Sequence, residues 1–307
     1  MSQAAIPRKP NLARTVAARA CSFARGQVRA CALLLACLTS LSPHVSFAQV
    51  SGSLLTPIQR EIEAQRARLS SAEVEERRDA VTRLGAMARP DASRAVVAAL
   101  SDKEPVVRAT AVRAILSLPR DEAARLLLPM LRDKQEFVRR ETAYALGLAR
   151  GTIAVDELIS ALTRDKEAGV RGAAAVALGQ INDARAVPAL SDVLGRHVSA
   201  SGILNRATFR KTEENDFVRR AAAISLGQIK SREGLPALVA ALTNERAGDD
   251  VRRESARALG LIGDSAATPA LRAALTARDP YLSQIALEAL RKIDPKAATG
   301  PPRNPTR

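Results

Sequence analysis

Apolar residues between Val74 and Ile293 fall into two registers, and each repeats about every 31 to 33 residues. One is a Leu-Gly step, at Leu84-Gly85, Leu146-Gly147, Leu178-Gly179, Leu226-Gly227 and Leu259-Gly260, with Ile115 and Leu290 in the Leu position of two further units. Its spacings are 31, 31, 32, 48, 33 and 31 residues. The other, Leu100, Leu131, Leu162, Leu194, Leu242 and Leu275, runs 31, 31, 32, 48 and 33, so the same long step occurs in both. Seven units, one carrying an insertion of about sixteen residues, account for both registers. Units of this size cannot bury an apolar face alone; they stack and share one elongated core, which makes binding along a surface the default function.

Each unit reads as two helices. Val138, Thr142, Ala145, Leu146 and Ala149 lie on one helical face and define helix A. Leu235, Leu238 and Leu242 define helix B, and Pro188, Pro236 and Pro269 share one position in its first turn, where a missing N–H costs nothing. Pro129 sits near the end of its own helix B and predicts a kink or early stop. Asn182-Asp183, Ser231 and Gly263-Asp264 are short breakers between A and B, suited to antiparallel neighbours. No segment here alternates with period two, so the expected fold is all-α.

Val-Arg followed by an Ala-rich helix ending in Leu-Gly stands at Val138-Arg139, Val170-Arg171, Val218-Arg219 and Val251-Arg252, with weaker copies at Arg77 and Val107-Arg108. This pattern resembles the HEAT-repeat family, in particular its phycobilisome-lyase HEAT-like class, over residues 72 to 293. The resemblance implies an α-solenoid of about seven helical hairpins in a right-handed superhelix. It implies little about activity, because the repeat serves many unrelated proteins.

The ends read differently. Residues 1–48 hold six basic residues and no acid, then the apolar run Ala30 to Leu41, whose twelve residues would span about 18 Å as a helix against a bilayer core of roughly 30 Å. A signal peptide is expected, with Ser46-Phe47-Ala48 placing the cut between Ala48 and Gln49. The expected location is periplasmic or secreted. Leu34-Leu35-Ala36-Cys37 resembles a lipobox, and lipidation at Cys37 is the alternative, giving a lipoprotein at the membrane surface. Residues 49–71 read as a linker followed by a capping helix, Pro57 to Leu69, with Ile58, Ile62 and Leu69 on one side. Ser70-Ser71-Ala72-Glu73 has the form of a capping box that opens the first helix A of the solenoid, residues 72–294. Residues 295–307, rich in proline, read as a disordered tail.

Charge and rare residues then narrow the chemistry. All three cysteines lie within residues 1–48, so the exported chain offers no disulfide or thiol. The net charge of +15 falls to +9 with the leader removed. For an exported protein that excess points first to anionic lipid, cell-wall polymer or acidic proteins. With two tyrosines, five phenylalanines and no tryptophan, no stacking platform for nucleic acid is expected.

The repeated Arg108, Arg139 and Arg171 each follow an acid, Asp102, Asp133 or Asp165, by six residues. Their recurrence in successive units favours Asp/Arg contacts and N-caps between repeats over an anion-binding row. Deoxyhypusine hydroxylase, built on similar repeats, binds iron through His-Glu pairs that follow the Val-Arg. Here Glu141 and Glu254 match the glutamates, but Arg140 and Arg253 stand at the histidine positions, and a cation cannot ligate a metal. His197 is the exported chain's sole histidine, which leaves no Cys/His pair. An exported chain without cysteine also fits bilin attachment poorly. No catalytic, metal or cofactor-binding residue is expected, and no cofactor.

The insertion, about residues 195–216, carries Ile203, Leu204 and Phe209 beside Arg206, Arg210 and Lys211. These are the candidate partner-binding residues, since repeat insertions fall on one edge of a solenoid. Phe137, Phe217 and Tyr281 recur just before helix A in three units and fit packing against a neighbouring repeat better than exposed anchoring. The expected function is an exported non-enzymatic scaffold that holds a protein partner through a concave helix B surface and the insertion. Its rivals are an enzyme or enzyme subunit related to bilin lyases or HEAT-repeat hydroxylases, and envelope attachment through the basic excess. Membrane contact is expected only through Cys37 lipidation or an anionic surface.

Overall fold

The computed structural model describes residues 55–196 and 214–295. The leader with its cleavage site at Ala48 and Gln49, the insertion residues Ile203 to Lys211, His197 and the tail beyond residue 295 lie outside them. Among the described residues there are fourteen α-helices and no strand. Among them α1 (Pro57–Arg68) comes first and packs on the two helices that follow it. The A helices are α2 (Val74–Ala86), α4 (Pro105–Ala114), α6 (Glu136–Ala149), α8 (Ala168–Ile181), α10 (Asp216–Ile229), α12 (Asp249–Ile262) and α14 (Pro280–Ile293). The B helices between them are α3 (Pro90–Val96), α5 (Arg120–Leu127), α7 (Val155–Arg164), α9 (Val187–Gly195), α11 (Leu235–Thr243) and α13 (Thr268–Ala274).

Local chemistry explains most boundaries. Pro188, Pro236 and Pro269 sit in the first turns of α9, α11 and α13 as their missing N–H requires. Where Pro129 was expected to interrupt its helix, α5 gives way to a 3-10 segment, Leu128–Arg132. Four A helices end on a left-handed residue, Arg150, Asn182, Lys230 or Gly263, which turns the chain back into helix B. The capping box expected at Ser70 to Glu73 does not form: α2 has Glu73 as N-cap, with no side-chain cap, while the Ser71 hydroxyl accepts from the Glu73 amide at 3.1 Å. A complete box occurs instead between Thr56 and Gln59, at the start of α1. Within α1, Ile62 is buried but Ile58 is exposed.

The Leu-Gly register is fully inside: Leu84, Ile115, Leu146, Leu178, Leu226, Leu259 and Leu290 are at most 1% exposed. In the second register, Leu162, Leu194 and Leu242 are equally buried, but Leu275 is 38% exposed. It follows α13, the last helix B among the described residues.

The glycine of each step marks where two A helices meet. A Cβ on Gly147 would stand 2.7 Å from the Ala177 Cα, and one on Gly227 would stand 2.9 Å from the Ala258 Cα. In each pair the partner directly precedes the next unit's register leucine. At Gly179 that partner is Ser225, whose buried hydroxyl donates to the Ala175 carbonyl at 2.7 Å. Successive A helices from α6 to α14 are the most densely packed neighbours, whereas successive B helices touch sparsely. A two-layer stack bends toward its more tightly spaced layer. The A layer is thus the more closely packed of the two, where the expectation was that helix B lines the inner surface.

Candidate functional site: the helix A face and its supporting ladder

The repeated Asp and Arg form a ladder. Arg77, Arg108 and Arg139 each reach the aspartate of the following unit in a two-pronged pair: Asp102 at 2.7 and 3.0 Å, Asp133 at 2.7 and 2.9 Å, and Asp165 at 2.7 and 3.0 Å. The same guanidiniums donate to carbonyls at the start of their own unit, as Arg108 does to Asp102 O at 2.8 Å. Each aspartate in turn caps the amide two residues on, as Asp133 caps Gln135 at 2.8 Å. Burial alone would raise the carboxyls of Asp102, Asp133 and Asp165; the arginine and amide donors outweigh it and hold all three below the ordinary range. Every charge on these rungs is paired, so the ladder clamps neighbouring repeats and leaves no free anion site. Its alternative reading, an anion-binding row, is set aside on that geometry.

The ladder changes where the chain is interrupted. Arg171 finds its carboxylate in Glu214, 43 residues on, at 2.7 to 3.2 Å. Glu214 stands five residues before Arg219, where the earlier aspartates stand six before their arginines, and its longer side chain makes up the offset. Arg196, on the near side of the insertion, lies 3.8 Å from the same carboxylate. The two ends of the insertion thus meet at one buried rung. None of the candidate residues Ile203, Leu204, Arg206, Phe209, Arg210 or Lys211 falls within the described residues, and Glu214, a residue the composition argument passed over, is the structural anchor. Beyond it the pattern loosens: Arg219 donates to Leu194 O at 3.1 Å, and the final rung is Arg253 to Asp279 at 2.7 Å.

The two arginines at the histidine positions of the iron-binding pattern are ion-pair partners. Arg140 holds Glu136 at 2.8 Å, and Arg253 holds Asp279 while lying 5.2 Å from the Tyr281 ring centroid. Glu141 pairs with Arg113, and Glu254 with Arg257. Among the described residues no three His, Cys, Asp or Glu side chains are grouped to hold a metal ion.

The solvent side of the A helices varies along the stack. It is read at the positions nine, six, five and two before the register leucine and two after it. In α2 they carry Glu75, Arg78 and Asp79 and in α12 Asp250, Arg253, Glu254 and Arg257, whereas α4 has the single charge Arg113 beside Val106, Ala109 and Thr110. In the central three helices Arg140, Glu141 and Arg220 are the charges of the row, and its other positions are neutral. Tyr144, Val176 and Ile224 are half-buried there, while Leu148 is 61% and Phe217 43% exposed. In α8 the same row holds Gly169, Gly172 and Ala173, and the Phe217 ring from α10 leans across Gly172. The charges bordering this centre are paired within the chain, Arg140 with Glu136, Glu141 with Arg113 and Arg220 with Asp250. Of the three aromatics noted in the sequence, Phe137 packs against the core, Phe217 lies over the neighbouring helix with its outer face free, and Tyr281 is 65% exposed beneath a guanidinium. The signal was present in the sequence, but it emerges only when one face position is compared across units rather than along a helix.

Helical hairpins stacked in sequence around one core, with paired charges clamping each step, define an α-solenoid scaffold. The family model for HEAT repeats matches residues 62–147, 137–200 and 208–291, and the chain belongs to that family. No curated protein matches the sequence. Among solved structures, an engineered protein from the Northeast Structural Genomics Consortium is similar at 22% identity over 76% of this chain and 68% of its own, with a TM-score of 0.49. The CpcE and CpcF complex of phycocyanin lyase from Nostoc sp. PCC7120 is similar at 24% identity over 81% of this chain and 92% of that one, with a TM-score of 0.45. Human deoxyhypusine hydroxylase, at 21% identity, is covered over 96% of its chain and covers 76% of this one, with a TM-score of 0.37.

Proposed function

We propose that this chain is an exported, non-enzymatic scaffold that holds a protein partner against the apolar centre of its helix A face, on α6, α8 and α10. The observation that carries the reading is the change along one structurally equivalent row, in which charge is densest in α2 and α12 and the apolar Leu148, Val176, Phe217 and Ile224 lie between them. Packing needs are the same in every unit, so a face that served stability alone would not change in this way. The tight spacing of the A helices supports the choice of this face over helix B. The insertion springs from the rung beside Phe217, and Ile203, Leu204, Phe209 and the basic Arg206, Arg210 and Lys211 supply a second contact. Export rests on the leader pattern: the mature N-terminus is Gln49, which N-terminal sequencing of purified protein tests directly.

The binding test uses a photo-crosslinking amino acid placed in cells at Leu148, at Phe217, or at Arg125 on the exposed side of α5. The expected result is an adduct of one mass from both helix A positions and none from Arg125, abolished by Ile224→Glu. Adducts from Arg125 alone would return the site to helix B, and the absence of any adduct would remove the reading.

A further inference from the structure

The position two after the register leucine is uncharged in six successive units: Ala86, Ser117, Leu148, Gln180, Gln228 and Leu261, with Lys292 following in α14. The four large residues lie on α6, α8, α10 and α12, and the last three reach back over the glycine of the preceding unit. Gln180 Oε1 lies against Gly147 and Gln228 Oε1 against Gly179, while Leu261 Cδ1 would stand 3.4 Å from a Cβ on Gly227. Leu148 and Leu261, at the two ends of this strip, are exposed. One turn earlier on the same helices stand Tyr144, Val176 and Ile224, half-buried, and then Arg257, held by Glu254. Arg150 and Lys230, two residues beyond the strip, are exposed cations. The insertion joins the opposite end of these helices: Gln228 is twelve residues along α10 from Asp216, about 18 Å at 1.5 Å per residue.

Among the described residues neither glutamine makes a side-chain hydrogen bond, and Gln180 Oε1 is buried without a donor. An unpaired buried amide oxygen is destabilising, so stability alone does not account for glutamine where the units on either side use leucine. With the oxygens turned to the glycines, the amide N–H groups are what these side chains offer a ligand, at the pitch of packed helices, roughly 8–10 Å. A backbone that meets them must present free carbonyls at that interval. An α-helix returns to one face in two turns, about 10.8 Å, but its carbonyls are used internally. A β-strand repeats its face at about 6.8 Å. A polyproline II helix repeats its face every three residues, about 9.3 Å, and leaves its carbonyls unpaired. We propose that the segment held by the helix A face is proline-rich and crosses α6, α8, α10 and α12 as a polyproline II helix. Its carbonyls accept from Gln180 and Gln228 at three-residue spacing, and its rings pack on Leu148, Tyr144 and Leu261. This occupant presupposes the protein-binding role of the helix A face, and the experiment separates the two.

The test is fluorescence anisotropy of labelled decaproline, about 31 Å long as a polyproline II helix, titrated with the full mature chain. Decaproline built from D-proline has the same composition and the opposite hand, and serves as the control. The L-peptide should bind saturably and about tenfold or more tightly than the D-peptide. Q180M/Q228M keeps side-chain length and apolar surface but removes both donors. It should weaken binding of the L-peptide about tenfold while its Tm is no lower than the parent's, a combination that a merely structural role for the glutamines would not produce. Equal or tighter binding by Q180M/Q228M would show that apolar contact alone acts, and would overturn the proposal. So would equal affinity for the two hands. No decaproline binding, with photo-crosslinks still formed at Leu148 and Phe217, would overturn the polyproline occupant and leave the helix A reading standing. Decaproline binding that is lost in Q180M/Q228M, with no crosslinks in cells, would uphold the strip and sink the broader reading alone.

Discussion

Replacing Gly147 or Gly227 by alanine should destabilise this protein, against the rule for helix interiors. Glycine in mid-helix costs about 1 kcal/mol relative to alanine, so propensity alone predicts a gain. Here the new methyl at position 147 would meet the Ala177 Cα at 2.7 Å and its Cβ at 2.9 Å; at position 227 it would meet the Ala258 Cβ at 2.8 Å. Carbon atoms in contact prefer about 3.5–4.0 Å, so the two A helices must part by roughly 1 Å. They cannot do so by moving one flexible side chain, because Ala177 and Ala258 present backbone. Overpacking of this kind costs about 1–3 kcal/mol. Less the propensity gain, the net loss should be up to about 2 kcal/mol, or up to roughly 8 °C in Tm for a domain of this size. Gly195, with nothing within 4 Å of an added Cβ, is the internal control and should gain slightly as Gly195→Ala. Differential scanning calorimetry of the three variants separates these effects. A higher Tm for Gly147→Ala and Gly227→Ala would refute the account of why the motif holds glycine.

Three further outcomes follow from the same geometry. Leu146→Ala, at a site with no exposure, should cost about 2–5 kcal/mol in thermal or urea unfolding, while Leu275→Ala, 38% exposed, should cost far less. The ladder carboxyls have folded pKa values below their ordinary 3.8, so their stabilisation is complete above that value and is lost as pH falls through the depressed folded values. Tm should therefore hold steady down to about pH 5 and drop below about pH 4, with a shallower drop in Asp133→Asn followed by calorimetry. Excision of residues 199–212 should leave circular dichroism and Tm near the parent values. Extending the cut through Glu214, or making Glu214→Ala, should cost about 3 kcal/mol because Arg171 then loses its buried partner; equal stability for the two excisions would show that this rung is idle.

What the sequence determined by itself was the architecture. Two leucine registers with one shared long step, prolines in the first turn of helix B and breakers such as Asn182 and Gly263 all act through local backbone chemistry and helical period, which a single chain displays directly. The buried leucines from Leu84 to Leu290 follow from that period. The capping box at Ser70 did not, because local capping competes with the use of Ser71 by Glu76 and by the Arg77 guanidinium, which takes the Ser71 carbonyl. Nor did the exposure of Leu275, since burial depends on packing between units, and α13 is the last helix B among the described residues.

Only the tertiary structure decided which residues face each other across repeats. Spacing placed Asp102 six residues before Arg108, but the carboxylate goes to Arg77 of the unit before, and Arg108 takes the carbonyl of the same residue. It placed glycine after leucine without showing that the next helix's backbone fills that space. The close packing of the A layer follows from that approach, and it brings Leu148, Val176 and Phe217 together on one face. Such contacts join residues about 30 positions apart, and in the row pairing α8 with α10 nearly 50, because the insertion intervenes. A periodic sequence states that equivalent residues recur; which of two faces each row presents to solvent is set by how closely successive backbones can pack.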